Sequence, residues 1–197
     1  MRIIGGYASG IRLSAPEGLD VRPTEDRVKE TVFSMLGDIS GMVVVDLFAG
    51  TGALGLEALS RGAACVKSIE INPKHMAFIA QNYEAVAKSM GDKLLPNSFE
   101  SICGDVSQFS RLLSSIAGKI NLVLADPPYH QPDGVFGGPQ LVESRLWSQL
   151  AAENCLLVLE HATRAPFAWF PSSDWKLIKT KTFGIRAVSF ARLSKRP

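Results

Sequence analysis

Asp46-Leu47-Phe48-Ala49-Gly50-Thr51-Gly52-Ala53-Leu54-Gly55 decides the fold. The apolar run Met42–Leu47 leads into it and reads as a buried strand; Ala53–Arg61 follows as a helix that Gly62 stops. Glycines between a strand and a helix let the backbone curve sharply and let a ligand approach without meeting a Cβ. Gly50, Gly52 and Gly55 spell G-x-G-x-x-G, the dinucleotide fingerprint. Glu70 falls at the end of the next strand, where an acidic residue binds ribose hydroxyls. On this stretch alone a nicotinamide-dependent dehydrogenase stays open.

Outward from the loop the chain alternates. Val66–Glu70 is a strand, Lys74–Ser89 a helix begun after Asn72-Pro73, and 91–100 a polar connection. A strand ends at Cys103, Ser107–Ala117 is a helix stopped by Gly118, and Asn121–Ala125 is a strand. A loop over 130–139, a helix over Gln140–Ala152 and a strand over Cys155–Glu160 follow. Lys176–Thr182 and Ala187–Leu193 close the chain as an antiparallel pair around Phe183-Gly184. Strands alternating with helices predict an α/β fold with a mostly parallel seven-stranded sheet, helices on both faces and an antiparallel edge hairpin. Ahead of this core, residues 2–14 read as a short hairpin with turns at Gly5-Gly6 and Ser9-Gly10. Arg22-Pro23-Thr24 then opens a helix, with Thr24 as N-cap and apolar spacing at Val28, Val32, Met35 and Leu36. The expected organisation is a single domain over 1–197, with 1–22 as an N-terminal extension and 23–197 as a Rossmann-like core.

Composition is that of a globular chain, with 46% hydrophobic and 20% charged residues in 197. No apolar run approaches the roughly 20 residues that span a bilayer, and the N-terminus lacks a signal peptide's apolar stretch. Cys65, Cys103 and Cys155 are widely spaced and unpaired, which predicts reduced core thiols in a cytoplasmic protein and no zinc site. Net charge is +2 but uneven: Lys176 to Pro197 holds seven basic residues and no acidic one. That asymmetry reads as a nucleic-acid footprint or as an edge strand guarded by lysines.

Asp126-Pro127-Pro128-Tyr129 follows the apolar run Leu122–Ala125 and so stands at a strand's carboxyl end, where ligands bind in such sheets. It is the signature of enzymes that methylate an exocyclic amino nitrogen of a nucleobase. The lone pair of that nitrogen is delocalised into the ring, so the group is a poor nucleophile. A carboxylate and a backbone carbonyl accepting its two N–H bonds pull it toward tetrahedral geometry. Proline lacks an N–H and helps hold the loop carbonyl outward, and Tyr129 offers a face for the base to stack on. Asp46 before the glycine loop suits a donor's ammonium group but would repel a pyrophosphate. Gly104-Asp105 closes the third strand with a carboxylate suited to an adenine amino group. Together these favour S-adenosylmethionine over a nicotinamide. His75 reads as a helix surface residue, His130 as a loop residue beside the signature and His161 as a strand-end residue. No constellation suggests a metal.

These motifs resemble the class I methyltransferases. Arg2-Ile3-Ile4-Gly5-Gly6, Gly10, Arg22-Pro23-Thr24 with Asp26-Arg27-Val28-Lys29-Glu30, Asp46–Glu57 and Asp126–Tyr129 resemble the RsmD family more closely, over nearly the whole chain. That family methylates guanine N2 in bacterial small-subunit (16S) ribosomal RNA. The resemblance implies a catalytic group of Asp126, Pro127, Pro128 and Tyr129, gripping N2 through the Asp126 carboxylate and the Pro127 carbonyl. It implies a donor site of Asp46, Phe48, Gly50, Gly52, Glu70 and Asp105, with Glu70 on the ribose and Asp105 on the adenine. Arg22, Arg27 and Arg186 are the candidate RNA contacts; Arg22 and Arg27 also suit the donor's carboxylate or a local salt bridge. The implied partner is 16S rRNA or a small-subunit assembly particle, met by a cytoplasmic monomer without membrane or metal. A methylase of DNA or other RNA, and a non-catalytic assembly factor that binds RNA, remain the rival readings.

Overall fold

The computed structural model describes residues 1–16, 23–128, 136–164, 169 and 173–194. Its framework is one seven-stranded sheet of order β3-β2-β1-β4-β5-β7-β6. The strands are β1 (Val43–Leu47), β2 (Cys65–Glu70), β3 (Phe99–Cys103), β4 (Ile120–Ala125), β5 (Ala151–Ala162), β6 (Trp175–Phe183) and β7 (Arg186–Leu193). β3, β2, β1, β4 and β5 run parallel, and β7 pairs antiparallel with both β5 and β6. The expected sheet and its antiparallel edge are therefore present.

Continuous apolar runs are what two buried faces require. In β4, Val123 and Ala125 pack into one core while Leu122 and Leu124 pack into the other. β1 divides in the same way, with Val45 and Leu47 on one side and Val44 on the other. Asp46, alternating with Val45 and Leu47, faces the side of Val44, where α1 (Pro23–Leu36) and α2 (Ala53–Ser60) pack. α3 (Pro73–Met90) starts at Pro73 and is capped by Asn72, whose side chain accepts the Lys74 N–H at 3.0 Å.

The N-terminal segment folds back through a bridge between Arg2 and Arg12 and docks on α2. Ile3, Ala8 and Leu13 are buried in the same core as α1 and α2. Gly6 has φ 80, and a Cβ there would lie 2.0 Å from the Ser60 carbonyl oxygen, so only glycine fits. Ser60 accepts the Ala8 N–H at 2.9 Å on its hydroxyl and donates it to the Gly5 carbonyl at 2.7 Å. The Glu57 carboxylate, fully buried, accepts the Ile4 and Gly5 N–H groups at 2.7 and 2.8 Å. It also meets Arg61 Nε at 2.8 Å and Lys29 Nζ at 3.3 Å. Lys29 in turn donates to the Arg2 carbonyl. One buried carboxylate thus ties the N-terminal segment to α1 and α2.

Two expected helices are broken. Ser107–Ala117 forms a 3₁₀ turn (Val106–Gln108), a single α turn, α4 (Phe109–Leu112), and a second 3₁₀ turn (Ser114–Ile116). Phe109, Leu113 and Ile116 still face the core, so the apolar spacing survives although the helix does not. Gln140–Ala152 splits into α5 (Gly138–Glu143) and α6 (Trp147–Leu150), with Ala151 already in β5. The buried Trp147 indole donates to the Leu141 carbonyl at 2.8 Å, occupying the acceptor that a continuous helix would offer to the Arg145 N–H. Cys103, expected in the core, is exposed at the end of β3, and Cys65 is half-buried. Cys155 is buried, and burial pushes its thiol up to about 12.

Candidate active site

The strand order reverses between β1 and β4, and a parallel sheet opens a crevice at the carboxyl ends of such strands. Asp46 lies near the end of β1, and Asp126 directly follows β4. Both line a cleft of about 210 Å³, together with Phe48, Gly50 and Thr51 of the glycine loop. Met1, Ala15, Val28 and Lys29 form its other wall, so the N-terminal segment and α1 help build the site.

The loop is bent by conformations that favour glycine. Gly50 has φ 57 and Gly52 φ 80, and Gly52 is the N-cap of α2. Phe48 also sits at φ 62, an outlier for a bulky residue, on the wall of the cleft. Glu70 holds this shape: its carboxylate accepts the Gly50 N–H at 2.7 Å and the Asn72 N–H at 2.8 Å. Asn82, buried in α3, secures the loop from behind by donating to the carbonyls of Thr51 at 3.0 Å and Ser14 at 2.9 Å. It also accepts the Ser14 N–H at 2.7 Å, joining the N-terminal segment to the loop. Nothing in its sequence setting, an asparagine in an amphipathic helix, marks that role.

Asp46 is 1% exposed and accepts the Gly55 N–H at 2.8 Å. A Cβ on Gly55 would lie 2.6 Å from Ser68 Oγ and 3.0 Å from Asp46 Oδ2, so this third glycine lets helix and strand close together. Ser68 Oγ beneath it has no hydrogen-bond partner among the described residues. Burial pushes the Asp46 carboxyl up to about 7, against the Gly55 hydrogen bond and reinforced by the charge of Glu70. Taken alone, this group favours folding fully below the ordinary carboxyl range, and that contribution is lost as pH rises through about 7. Holding an ammonium group needs the ionised form. Affinity for the expected donor, measured by calorimetry, should therefore fall about tenfold per pH unit below 7, and Asp46→Asn should flatten the profile. A wild-type affinity that does not change between pH 6 and 7.5 contradicts this.

The residues fit the expected donor. Glu70 uses two of its roughly four lone-pair sites on backbone amides, which leaves acceptors for a ribose diol. Asp46 supplies a buried carboxyl on the wall of the cleft, an anion above about pH 7, and the positive-φ glycine Gly50 has open space where a Cβ would stand. Asp105 is placed differently: it is exposed beyond β3 and caps the next turn by accepting the Ser107 N–H at 2.8 Å. Asp105, Gly52 and Glu70 do not line the cleft; Glu70 stands behind it, beneath the Gly50 amide it accepts and beside His75, which does line it.

Of the acceptor signature, Asp126 is exposed in the cleft, Pro127 is buried and Pro128 is exposed. Tyr129, His130 and Arg22 lie outside the described residues. Arg27 is exposed on α1. Arg186 turns inward, lining the cleft with its Nη1 3.3 Å from Glu160 Oε1. His75 departs from its surface reading: it lines the cleft with Nδ1 3.4 Å from Glu70 Oε1. His161 engages the buried Ser189 hydroxyl at 2.9 Å. Among the described residues no cluster of His, Cys, Asp or Glu is arranged to hold a metal, and no helix is long and apolar enough to cross a membrane.

The comparisons with known proteins agree with this geometry. The family model described as Conserved hypothetical protein 95 matches residues 1–192. The chain is 32% identical over 190 residues to Ribosomal RNA small subunit methyltransferase D of Escherichia coli (strain K12), covering 93% of this chain and 85% of that protein. It is 29% identical over 189 residues to the protein of the same name in Haemophilus influenzae, covering 94% and 90%. Among solved structures, yhhF from Escherichia coli superposes with a TM-score of 0.78 at 29% identity, over 100% of this chain and 99% of that one.

Proposed function

Since the chain belongs to the Conserved hypothetical protein 95 family, that of the ribosomal RNA small subunit methyltransferases D, we propose that it methylates the exocyclic N2 of a guanine in 16S ribosomal RNA. The observation that carries this reading is the shared crevice: the glycine loop with Asp46 and the acceptor carboxylate of Asp126 open into one cleft across the sheet's switch point.

S-adenosylmethionine supplies a methyl group on a positively charged sulfur, an intrinsically activated electrophile. The chain's own task is alignment, and well-oriented reactants gain roughly 7–11 kcal/mol from it. Asp46 holds the ammonium end, the Gly50–Gly52 turn lets the backbone come close, and Glu70 takes the ribose while fixing the Gly50 amide. Asp126 and the Pro127 carbonyl accept the two N–H bonds of guanine N2 and direct its lone pair across the cleft. After transfer the surplus proton leaves N2 to Asp126 or to water. No covalent enzyme intermediate is needed. The guanine must leave its stack to enter, at a cost of a few kcal/mol unless the RNA already splays it.

RNA contact is assigned to the basic outer strand β6, whose Lys176, Lys179 and Lys181 are all exposed at the sheet edge. Replacing these three lysines with alanine should weaken RNA binding and make the log–log salt dependence shallower by about 2, at ~0.7 per lost single-strand phosphate contact. An unchanged slope removes β6 from the interface. The function itself is tested by incubating the protein with labelled donor and small-subunit RNA, naked or in particles. Label in guanine N2 supports the reading, and RNA binding without transfer favours the assembly-factor alternative.

A further inference from the structure

We propose that Glu160 and Arg186 read the target base, selecting guanine by its N1–H and its O6 while Asp126 holds N2. This rests on the reading of the cleft as a guanine-N2 methylation site and deepens it.

Register carries the argument first. Ala125 of β4 pairs in parallel with Leu159 of β5, so Asp126 and Glu160 are the next positions on neighbouring strands and project to the same face. Arg186 opens β7, opposite Ala162 of β5. Its guanidinium reaches back to Glu160, with Nη1 3.3 Å from Oε1. All three side chains line the same cleft. The Glu160 and Arg186 side chains are 12% and 23% exposed, sheltered from bulk water yet reachable from the cleft.

Chemistry carries it further. The sheet order β4-β5-β7 sets out a carboxylate, a second carboxylate and a guanidinium in a row. The Watson–Crick edge of guanine sets out a donor at N2, a donor at N1 and an acceptor at O6, in the same order. Each protein group is the complement of the base group it would face. Adenine would place the bare N1 lone pair against Glu160 and an amino group against Arg186, and it has no 2-amino group to methylate.

The test replaces the guanine that receives the methyl, located by its label, with 2-aminopurine. This base keeps the 2-amino group but has an acceptor at N1 and no O6. Wild-type protein is expected to prefer guanine by about 100-fold or more in kcat/KM, because unmatched polar groups in a built site are strongly rejected. In E160Q the side-chain amide can donate to the bare N1, so the preference should narrow about tenfold or more while donor affinity stays at the wild-type value. R186Q should lower turnover of guanine about tenfold and leave 2-aminopurine unchanged. A preference that survives in both variants overturns the assignment, as does a parallel loss on both bases, which is what mere structural damage produces. A wild-type protein that methylates neither base overturns the methylation reading itself, and this assignment with it.

Discussion

Asp126→Ala is expected to lower single-turnover methyl transfer about 10²- to 10³-fold, while donor affinity and melting temperature stay at the wild-type values. The magnitude is that of removing one preorganised group aimed at the reacting centre. Asp126 is exposed in the cleft, so truncation leaves no buried cavity. The residues proposed for the donor are others: the glycine loop, Asp46 and Glu70, whose carboxylates accept backbone amides of that loop and its helix. Loss of rate with intact donor binding would place the role of Asp126 at the amine. Near-normal turnover in a folded variant would remove it from the chemistry. Asp126→Asn keeps one acceptor oxygen and should fall between the two.

Glu57→Ala is expected to cost about 3–5 kcal/mol of stability, the range seen when one partner of a buried ion pair is removed. For a chain of this length that is a fall of about 6–20 °C in melting temperature. The side chain is fully buried, and its loss strands the Ile4 and Gly5 amides and the nearly buried Lys29. Burial already pulls the Lys29 amine below its usual range, against the charge of Glu57, which shows how much this lysine leans on its partner. Adding Lys29→Met to Glu57→Gln should recover part of the loss, since the most deeply buried cation is then removed and the remaining partner, Arg61, is partly exposed. Wild-type stability in the Glu57→Ala variant would contradict the assignment of this carboxylate as the clasp of the N-terminal segment. Because Met1, Ala15 and Lys29 line the cleft, donor binding should weaken alongside stability.

Much of this was legible in the sequence for identifiable reasons. A strand buried on both faces writes a continuous apolar run, so Val43–Leu47 and Ile120–Ala125 could hardly be missed. Gly50, Gly52 and Gly55 announce a turn and a close approach that other residues cannot make. What escaped reading is what depends on distant partners. Trp147 breaks a helix by bonding the Leu141 carbonyl, and an apolar pattern does not encode that. Glu57 looks like any helix-surface acid until the chain from Ile4 to Gly5 folds onto it. Glu160 and Arg186 stand 26 residues apart and meet only because β5 and β7 pair. Asp105 carries a dipeptide that serves equally as a ligand site and as a cap, and here its carboxylate caps Ser107.

The most direct measurement of the central claim is mass spectrometry of nucleosides from 16S ribosomal RNA of cells lacking this protein. The account predicts that one N2-methylguanosine disappears, returns with the wild-type gene and stays absent with Asp126→Ala. A full complement of N2-methylguanosine in those cells would contradict it.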